Sequence, residues 1–244
     1  IVFLDVGQGD SELLLGSDGC TALIDGGPSG SGLTGKLRAL GVKRLNLVIT
    51  THPAADHHGG VIDLVRDGDI EVDRLLAGGL PTFDASYLKL IGDLRARGAT
   101  FAEAVTGATW RCGDIAVDTL GPAKALAGAR PAADANTRAA VTEVAVGDLT
   151  MLTSGDAESP QLLPLSIGKV DILKVPHHGS ADAGLPSVLL RTQPSLAVIE
   201  VGKGNTYGHP TPEALAALQV VPQVKRTDLD GTVIVPAVGS RLVR

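Results

Sequence analysis

The chain has 244 residues, 44% of them hydrophobic but only 2% aromatic, and its 21 Lys and Arg against 27 Asp and Glu give a formal charge of −6. That length supports one large core built from aliphatic side chains. The acidic balance argues against a broad electrostatic grip on phosphate backbones, and the shortage of rings argues against base stacking as a mode of nucleic-acid binding. No apolar run is long enough to span a bilayer and no charged-then-apolar leader opens the chain. Ile1 already begins a strand pattern, which reads as a domain cut from a longer protein.

In chain order, short apolar runs predict strands at "IVFLDV", "SELLL", "CTALID", "LNLVIT", "RAAVTEVAV", "LTMLTS", "DILKV", "LAVIEV" and "GTVIV". Helical spacing falls between several of them, at "LTGKLRALG", "HGGVIDLVRD", "DASYLKLIGDLRARG" and "TPEALAALQ". Strands open both halves and helices follow, so we expect two face-to-face sheets covered by helices outside, over a single domain spanning 1–244. The Ala-, Gly- and Pro-rich stretch 121–136 reads as a loop joining the halves. Cys20 and Cys112 stand far apart and form no CxxC pair, so they read as two unpaired thiols, although an oxidising compartment would allow a disulfide.

The halves echo each other. "CTALIDGG" ends a strand on Asp25 and "LNLVITTH" ends one on His52, while "LTMLTSGD" ends on Asp156 and "DILKVPHH" on His177 and His178. Polar residues delivered by adjacent strand ends converge, as ligands in a rigid site must. The stretch "THPAADHHGG" holds three of the six histidines. Within it His52, Asp56 and His57 offer imidazole and carboxylate donors suited to a divalent transition metal. The competing reading is a polar loop whose Asp56 serves the helix start. His58 beside "GG" reads as packing, and Met151 and Trp110 as core or surface. No Gly-x-Ser-x-Gly or Cys/His arrangement offers a protein nucleophile.

The order of these motifs resembles the metallo-β-lactamase superfamily, whose pattern is an early Asp, then His-x-His-x-Asp-His, a His, a metal-bridging Asp and a final His. Asp25, then His52, Asp56 and His57, then Asp156, then "PHHGS" fall on that pattern. Ala54 stands where the second central His, or in many members an Asp, would stand, and Asn136 where the next His would. The series "FLDVGQGDSELL", "LIDGG", "THPAADHHGG", "TSGDAE", "LKVPHHGS", "GNTYGHP" and "VKRTDLDGTVIV" is similar to the C-terminal domain of ComEC-family competence proteins, the membrane channels for DNA in natural transformation.

The resemblance implies an αββα four-layer sandwich with two mixed β-sheets. It implies a metal-dependent phosphodiester hydrolase acting on DNA, degrading the strand that is not imported, detached from a membrane channel and working on the extracytoplasmic face. One or two divalent ions, Mn or Zn, are expected, with one firmly held by Asp56, His57, Asp156 and His177 or His178, and a depleted position at His52. His209 is the expected proton donor and Asp56 the essential carboxylate. Asp25, Asn136, Gln8 and Asp10 support the motifs. Lys174, Ser180, Asn205 and Tyr207 are expected to meet a phosphate, and Lys174, Lys203 and Arg138 to supply the few, weak DNA contacts. Two rivals stand beside this reading: a docking or lid module of the channel without turnover, and a free-standing hydrolase of small esters.

Overall fold

The computed structural model of the protein describes residues 1–237. The first half runs β1 (Val2–Phe3), β2 (Glu12–Leu15), β3 (Thr21–Ile24), α1 (Leu33–Ala39), β4 (Arg44–Leu45), β5 (Leu47–Thr50), α2 (Ala55–Asp67), β6 (Glu71–Val72), β7 (Arg74–Ala77), α3 (Ala85–Ala96) and β8 (Thr100–Glu103). The second runs β9 (Thr109–Cys112), β10 (Ile115–Gly121), β11 (Val141–Val146), β12 (Leu149–Thr153), α4 (Ser159–Leu162), β13 (Ile172–Lys174), α5 (Leu185–Thr192) and β14 (Leu196–Ile199). It closes with α6 (Pro212–Ala217), β15 (Gln223–Arg226), α7 (Thr227–Asp230) and β16 (Val233–Ile234).

Two seven-stranded sheets result, ordered β16-β1-β2-β3-β5-β7-β8 and β15-β14-β13-β12-β11-β10-β9, with β4 and β6 paired apart. Each sheet changes from antiparallel to parallel partway across. In the first, β1, β2 and β3 are antiparallel and β3, β5, β7 and β8 parallel. In the second, β9 to β12 are antiparallel and β12 to β15 parallel. The echo in the sequence is this shared topology. Strand β16 crosses back to pair with β1 and closes the first half's sheet.

The period-2 alternation of strand side chains divides the core into layers. Ala22, Ile24, Leu47 and Ile49 face the second sheet and meet Val144, Met151, Ile172 and Val198 there. Leu23 and Val48 face the other way, onto Leu37, Val61, Leu64 and Leu90 of the helices. Leu173 and Ile199 likewise face Leu185, Val188 and Leu189. Three apolar layers separated by two sheets make the αββα sandwich with mixed sheets that the sequence predicts. Strands β6, β7, β8, β9, β10 and β15 and helices α5 and α7 were not among the expected elements.

One sequence expectation fails here. Cys20, just before β3, and Cys112, ending β9, are joined by a disulfide with their Cα atoms 5.9 Å apart. Nothing in a separation of 92 residues could announce that proximity. The bridge ties the first sheet to the second at the end of β3 where the strand begins. Asp25 lies at its other end.

Candidate metal centre

The parallel strands β3, β5, β12 and β13 stop at one edge of the sandwich, and their exits carry the chemistry. Asp25 follows β3 with φ +55° and His177 and His178 follow β13 with φ +48° and +53°. Such left-handed backbone in non-glycine residues costs energy and collects at functional sites. His52 follows β5, and α2 starts immediately afterwards with Asp56 and His57 in its first turn. Gly59 and Gly60 let that helix lie against the turn after β3. A Cβ on Gly60 would sit 2.0 Å from the Gly26 carbonyl oxygen, and one on Gly59 2.5 Å from the Ser29 nitrogen. The "HHGG" run therefore places His57 as well as supplying it.

Five of the six histidines form one ring cluster, with centroids 4.2 Å apart for His52 and His57, 5.4 Å for His57 and His178, and 5.5 Å for His177 and His209. His58 stands outside it, its Nε2 3.0 Å from Ser86 Oγ and its ring edge-on to Tyr87. Asp156 reaches into the cluster. Its Oδ1 is 3.2 Å from His57 Nε2 and 3.4 Å from His178 Nε2, and its Oδ2 is 3.7 Å from His52 Nε2 and 3.5 Å from His177 Nε2. Asp56 Oδ2 lies 3.5 Å from His178 Nε2.

The donor set fits a metal ion on a test of polar satisfaction. His52 Nε2, His57 Nε2, His178 Nε2 and Asp156 Oδ1 are buried and lack hydrogen-bond partners, against the rule that buried polar atoms are paired. They point at one another, grouped as His52, His57 and Asp156 and as Asp56, His57 and His178, with donor atoms within 4.8 Å in each group. The opposite ring nitrogens are engaged, as in ligand histidines whose orientation is fixed from behind. His57 Nδ1 is 2.7 Å from Asp25 Oδ2, and Asp25 also accepts from the Thr51 amide at 2.8 Å and the Thr51 hydroxyl at 2.6 Å. His178 Nδ1 lies 2.8 Å from the Glu200 carbonyl oxygen and 3.2 Å from Asp10 Oδ1.

His177 is held differently. Its Nδ1 meets Glu158 Oε1 at 2.8 Å, it is 28% exposed on its side chain, and it joins none of the three-donor groups. Of the two adjacent histidines, His178 is the one aimed into the donor set. Asn136, on the 3₁₀ turn Ala135–Arg138, brings its amide to 3.5 Å from His177 Nε2. Ala54 is the N-cap of α2 and offers neither a ligand nor a capping side chain.

Electrostatics shape the set. Burial alone would lower His178, but the Asp10, Asp56 and Asp156 carboxylates around it push it up to about 9. His57 is raised well above the usual histidine range in the same way, by Asp156 and Asp25 against burial. Burial and the charge of His57 lower His52 to about 4. Burial and the neighbouring His177 and His178 also lower His209.

Beneath the ligand cluster lies a buried charged layer that sequence reasoning missed. By strand alternation Glu12, Lys174 and Glu200 continue the inward-facing rows of Leu14, Ile172 and Val198, and all three are fully buried. Lys174 is ion-paired with Asp10 and donates to the Gly155 carbonyl at 3.1 Å. Glu12 accepts from the Thr153 hydroxyl at 2.7 Å and Glu200 from the Ser11 amide at 3.0 Å. Burial and the Asp10 charge push Glu12 up to about 8. The available signal was a charged residue inside each of three apolar strand runs, "SELLL", "DILKV" and "LAVIEV"; central strands covered on both faces bury whatever they carry.

Several predicted substrate contacts are corrected by these positions. Lys174 cannot reach a phosphate from the core. Ser180 is buried, its hydroxyl given to Glu158. The Asn205 amide is used up within its own turn, donating to the Gly202 and His209 carbonyls and accepting from the Tyr207 and His209 amides. Arg138, half-buried, donates Nε–H to the Leu80 carbonyl and an Nη2–H to the Ala123 carbonyl, with its charge unpaired by either. Gln8 accepts from the Gly202 amide at 3.1 Å and so braces that turn. Tyr207 and Lys203 remain exposed.

Comparison with known proteins agrees with this geometry. The metallo-β-lactamase superfamily profile matches residues 4–88. The chain is 29% identical over 204 residues to ComE operon protein 3 of Bacillus subtilis, covering 81% of this chain and 25% of that protein. It is 28% identical over 240 residues to Competence protein ComA of Neisseria gonorrhoeae, covering 93% and 30%. The chain thus spans about a quarter of the length of the curated relatives it matches. Among solved structures, the metallo-β-lactamase fold protein YhfI of Bacillus subtilis superposes with a TM-score of 0.61 at 12% identity, over 92% of this chain and 95% of that one. A variant of the β-hydroxylase CmlA gives 0.61 at 16%, over 96% and 53%. The chain thus resembles the metallo-β-lactamase superfamily over residues 4–88, has the metallo-β-lactamase fold, and is similar in sequence to part of the ComEC-family competence proteins.

Proposed function

We propose that this domain is a divalent-metal phosphodiester hydrolase that acts on DNA during natural transformation, degrading the non-imported strand beside a membrane channel of the same polypeptide. The observation that carries the reading is the convergence of buried, unpartnered His57 Nε2, His178 Nε2 and Asp156 Oδ1 next to Asp56. Among the described residues no helix is long and apolar enough to cross a membrane, so the channel would have to come from elsewhere in the polypeptide.

Asp56, His57, Asp156 and His178 would hold one Mn or Zn ion. His52 and Asp156 Oδ2 would offer a poorer second position, because Ala54 supplies no donor and the Asn136 amide is turned to His177. A divalent cation held there supplies Lewis acidity toward a phosphoryl oxygen and acidifies water. Asp25 fixes His57 through Nδ1, and Glu200 and Asp10 fix His178 through the same ring position, so both present Nε2 without rearrangement. His209, with its ring beside His177, is the group we assign as proton donor to a leaving oxygen. The Cys20–Cys112 disulfide supports an oxidising location such as the extracytoplasmic face, where such bonds persist.

The test is cleavage of single- and double-stranded DNA by protein loaded in turn with Mn²⁺ and Zn²⁺. We expect hydrolysis with at least one metal and its loss in Asp56→Ala. Stoichiometric metal with no cleavage of either substrate would overturn the reading. One observation favours a second: position 54 carries no ligand, as in a docking module that keeps the fold without turnover. That reading requires protein that purifies with no stoichiometric transition metal.

A further inference from the structure

The proposed site has little with which to hold a nucleic acid electrostatically. Its mouth carries the Asp56, Asp156 and Glu158 carboxylates, the chain's net charge is −6, Lys174 is ion-paired in the core, and the cations nearby are the half-buried Arg138, which also donates to the Leu80 and Ala123 carbonyls, and the exposed Lys203. Beside this mouth stands an exposed ring. Tyr207 is 69% exposed and Phe83 84%, while Phe3 and Tyr87 are fully buried; of the two exposed rings Tyr207 is the one that neighbours the histidine cluster. Its centroid is 6.2 Å from that of His209, which is 5.5 Å from His177.

The loop that carries it is built rather than slack. Asn205 uses its amide oxygen for the Tyr207 and His209 amides and its amide nitrogen for the Gly202 and His209 carbonyls. Gly202 presses on the turn at Gln8, where a Cβ would lie 2.5 Å from the Gln8 nitrogen. A rigid turn thus holds a large ring in water beside the candidate reacting centre, where its face lacks the burial that normally stabilises an aromatic side chain.

We propose that Tyr207 is a stacking platform for a nucleobase next to the scissile phosphate, which makes unpaired strands the preferred substrate. The proposal rests on the hydrolase reading and narrows its substrate class. A base can lie on the ring only when it is unstacked, so duplex DNA gains nothing from the contact. Stacking also tolerates every base and needs no counter-charge, which suits an acidic domain degrading a strand of arbitrary sequence.

The experiment compares binding of an end-labelled oligothymidylate with that of an abasic strand of equal length, by anisotropy in chelator so that no cleavage intervenes. The unmodified protein should prefer oligothymidylate by about 5- to 150-fold, the value of one base–aromatic stack. Tyr207→Ala should abolish the preference, while Tyr207→Phe and Tyr207→Trp should keep it. Equal binding of the two strands, no measurable binding of either, or a Tyr207→Phe variant as weak as Tyr207→Ala would overturn the proposal; the last would assign the effect to the hydroxyl. Cleavage assayed separately with Mn²⁺ separates the two readings. Cleavage that is indifferent to the ring removes stacking and leaves the hydrolase, whereas ring-dependent binding without cleavage under any metal does the reverse.

Discussion

Asp25 Oδ2 lies 2.7 Å from His57 Nδ1, and both groups are fully buried. The contact fixes which nitrogen of His57 faces Asp156, so Asp25 acts on the donor set without entering it. Replacing it by Asn keeps the left-handed backbone, which Asn tolerates, but removes the charge behind the ring. Asp25→Asn should weaken metal binding by about 10- to 100-fold, as measured by competition with a chelating dye. Affinity unchanged within twofold would mean that His57 is oriented by packing alone.

Ala54 caps α2 without a side-chain hydrogen bond, and that makes one substitution informative twice. Ala54→Asp should raise stability in the metal-free protein by about 1 kcal/mol through N-capping, read from urea unfolding. It should also raise the metal content toward two ions and increase hydrolysis, because it restores a donor beside His52. A gain in stability without a gain in metal would show that position 54 does not face the site.

Metal loading should release protons. His178 is raised to about 9 and His57 well above the usual range, and each must be neutral to ligate. Apparent affinity should therefore rise with pH, by up to tenfold per unit for each proton displaced, and the His178 share of that rise should end at about 9. Calorimetry at pH 7.5 in buffers of different ionisation enthalpy should report close to two protons per ion. The metal-free protein should behave oppositely. A raised histidine stabilises the fold fully below its unfolded value of 6.5, and that contribution disappears as pH climbs to about 9, at no more than about 1.4 kcal/mol per unit per group. A metal-free protein that gains stability over this interval would contradict the assignment.

The disulfide closes a loop of 92 residues. Its loss through Cys20→Ala with Cys112→Ala should cost about 2 to 5 kcal/mol of unfolding free energy. Metal affinity should hold, since Cys20 and Asp25 bound opposite ends of β3. A variant that unfolds unchanged in denaturant but loses metal would reverse that division of roles.

The fold was legible where hydrophobic period and strand-end chemistry coincide. "CTALIDGG", "LNLVITTH", "LTMLTSGD" and "DILKVPHH" are all strands that stop at one edge, and Asp25, His52, Asp156 and His178 meet there. Two kinds of fact were hidden. Contacts between distant segments that no motif marks, such as Cys20 with Cys112 and Lys174 with Asp10, depend on packing that no local pattern encodes. The fate of single polar residues was misread, because Lys174 was assigned a surface role from its charge although its strand is covered on both faces. The small aromatic content, for its part, tells how few rings there are and not where they stand: Tyr207 is exposed beside His209.

The join between the halves at 121–136 gives the site a property that neither half has alone. Asp56 and His57 come from the chain before it, and Asp156 and His178 from the chain after it, so each half carries two donors and neither carries a complete set. The disulfide pins the two sheets together at one end of the sandwich, while the donors face one another across the seam at the other. The two sheets are thus joined covalently at one end, and at the other by the buried Lys174–Asp10 ion pair and the Glu12–Thr153 hydrogen bond beneath the donors. A cation held by the four donors would add a second tie between the halves at the end away from the disulfide.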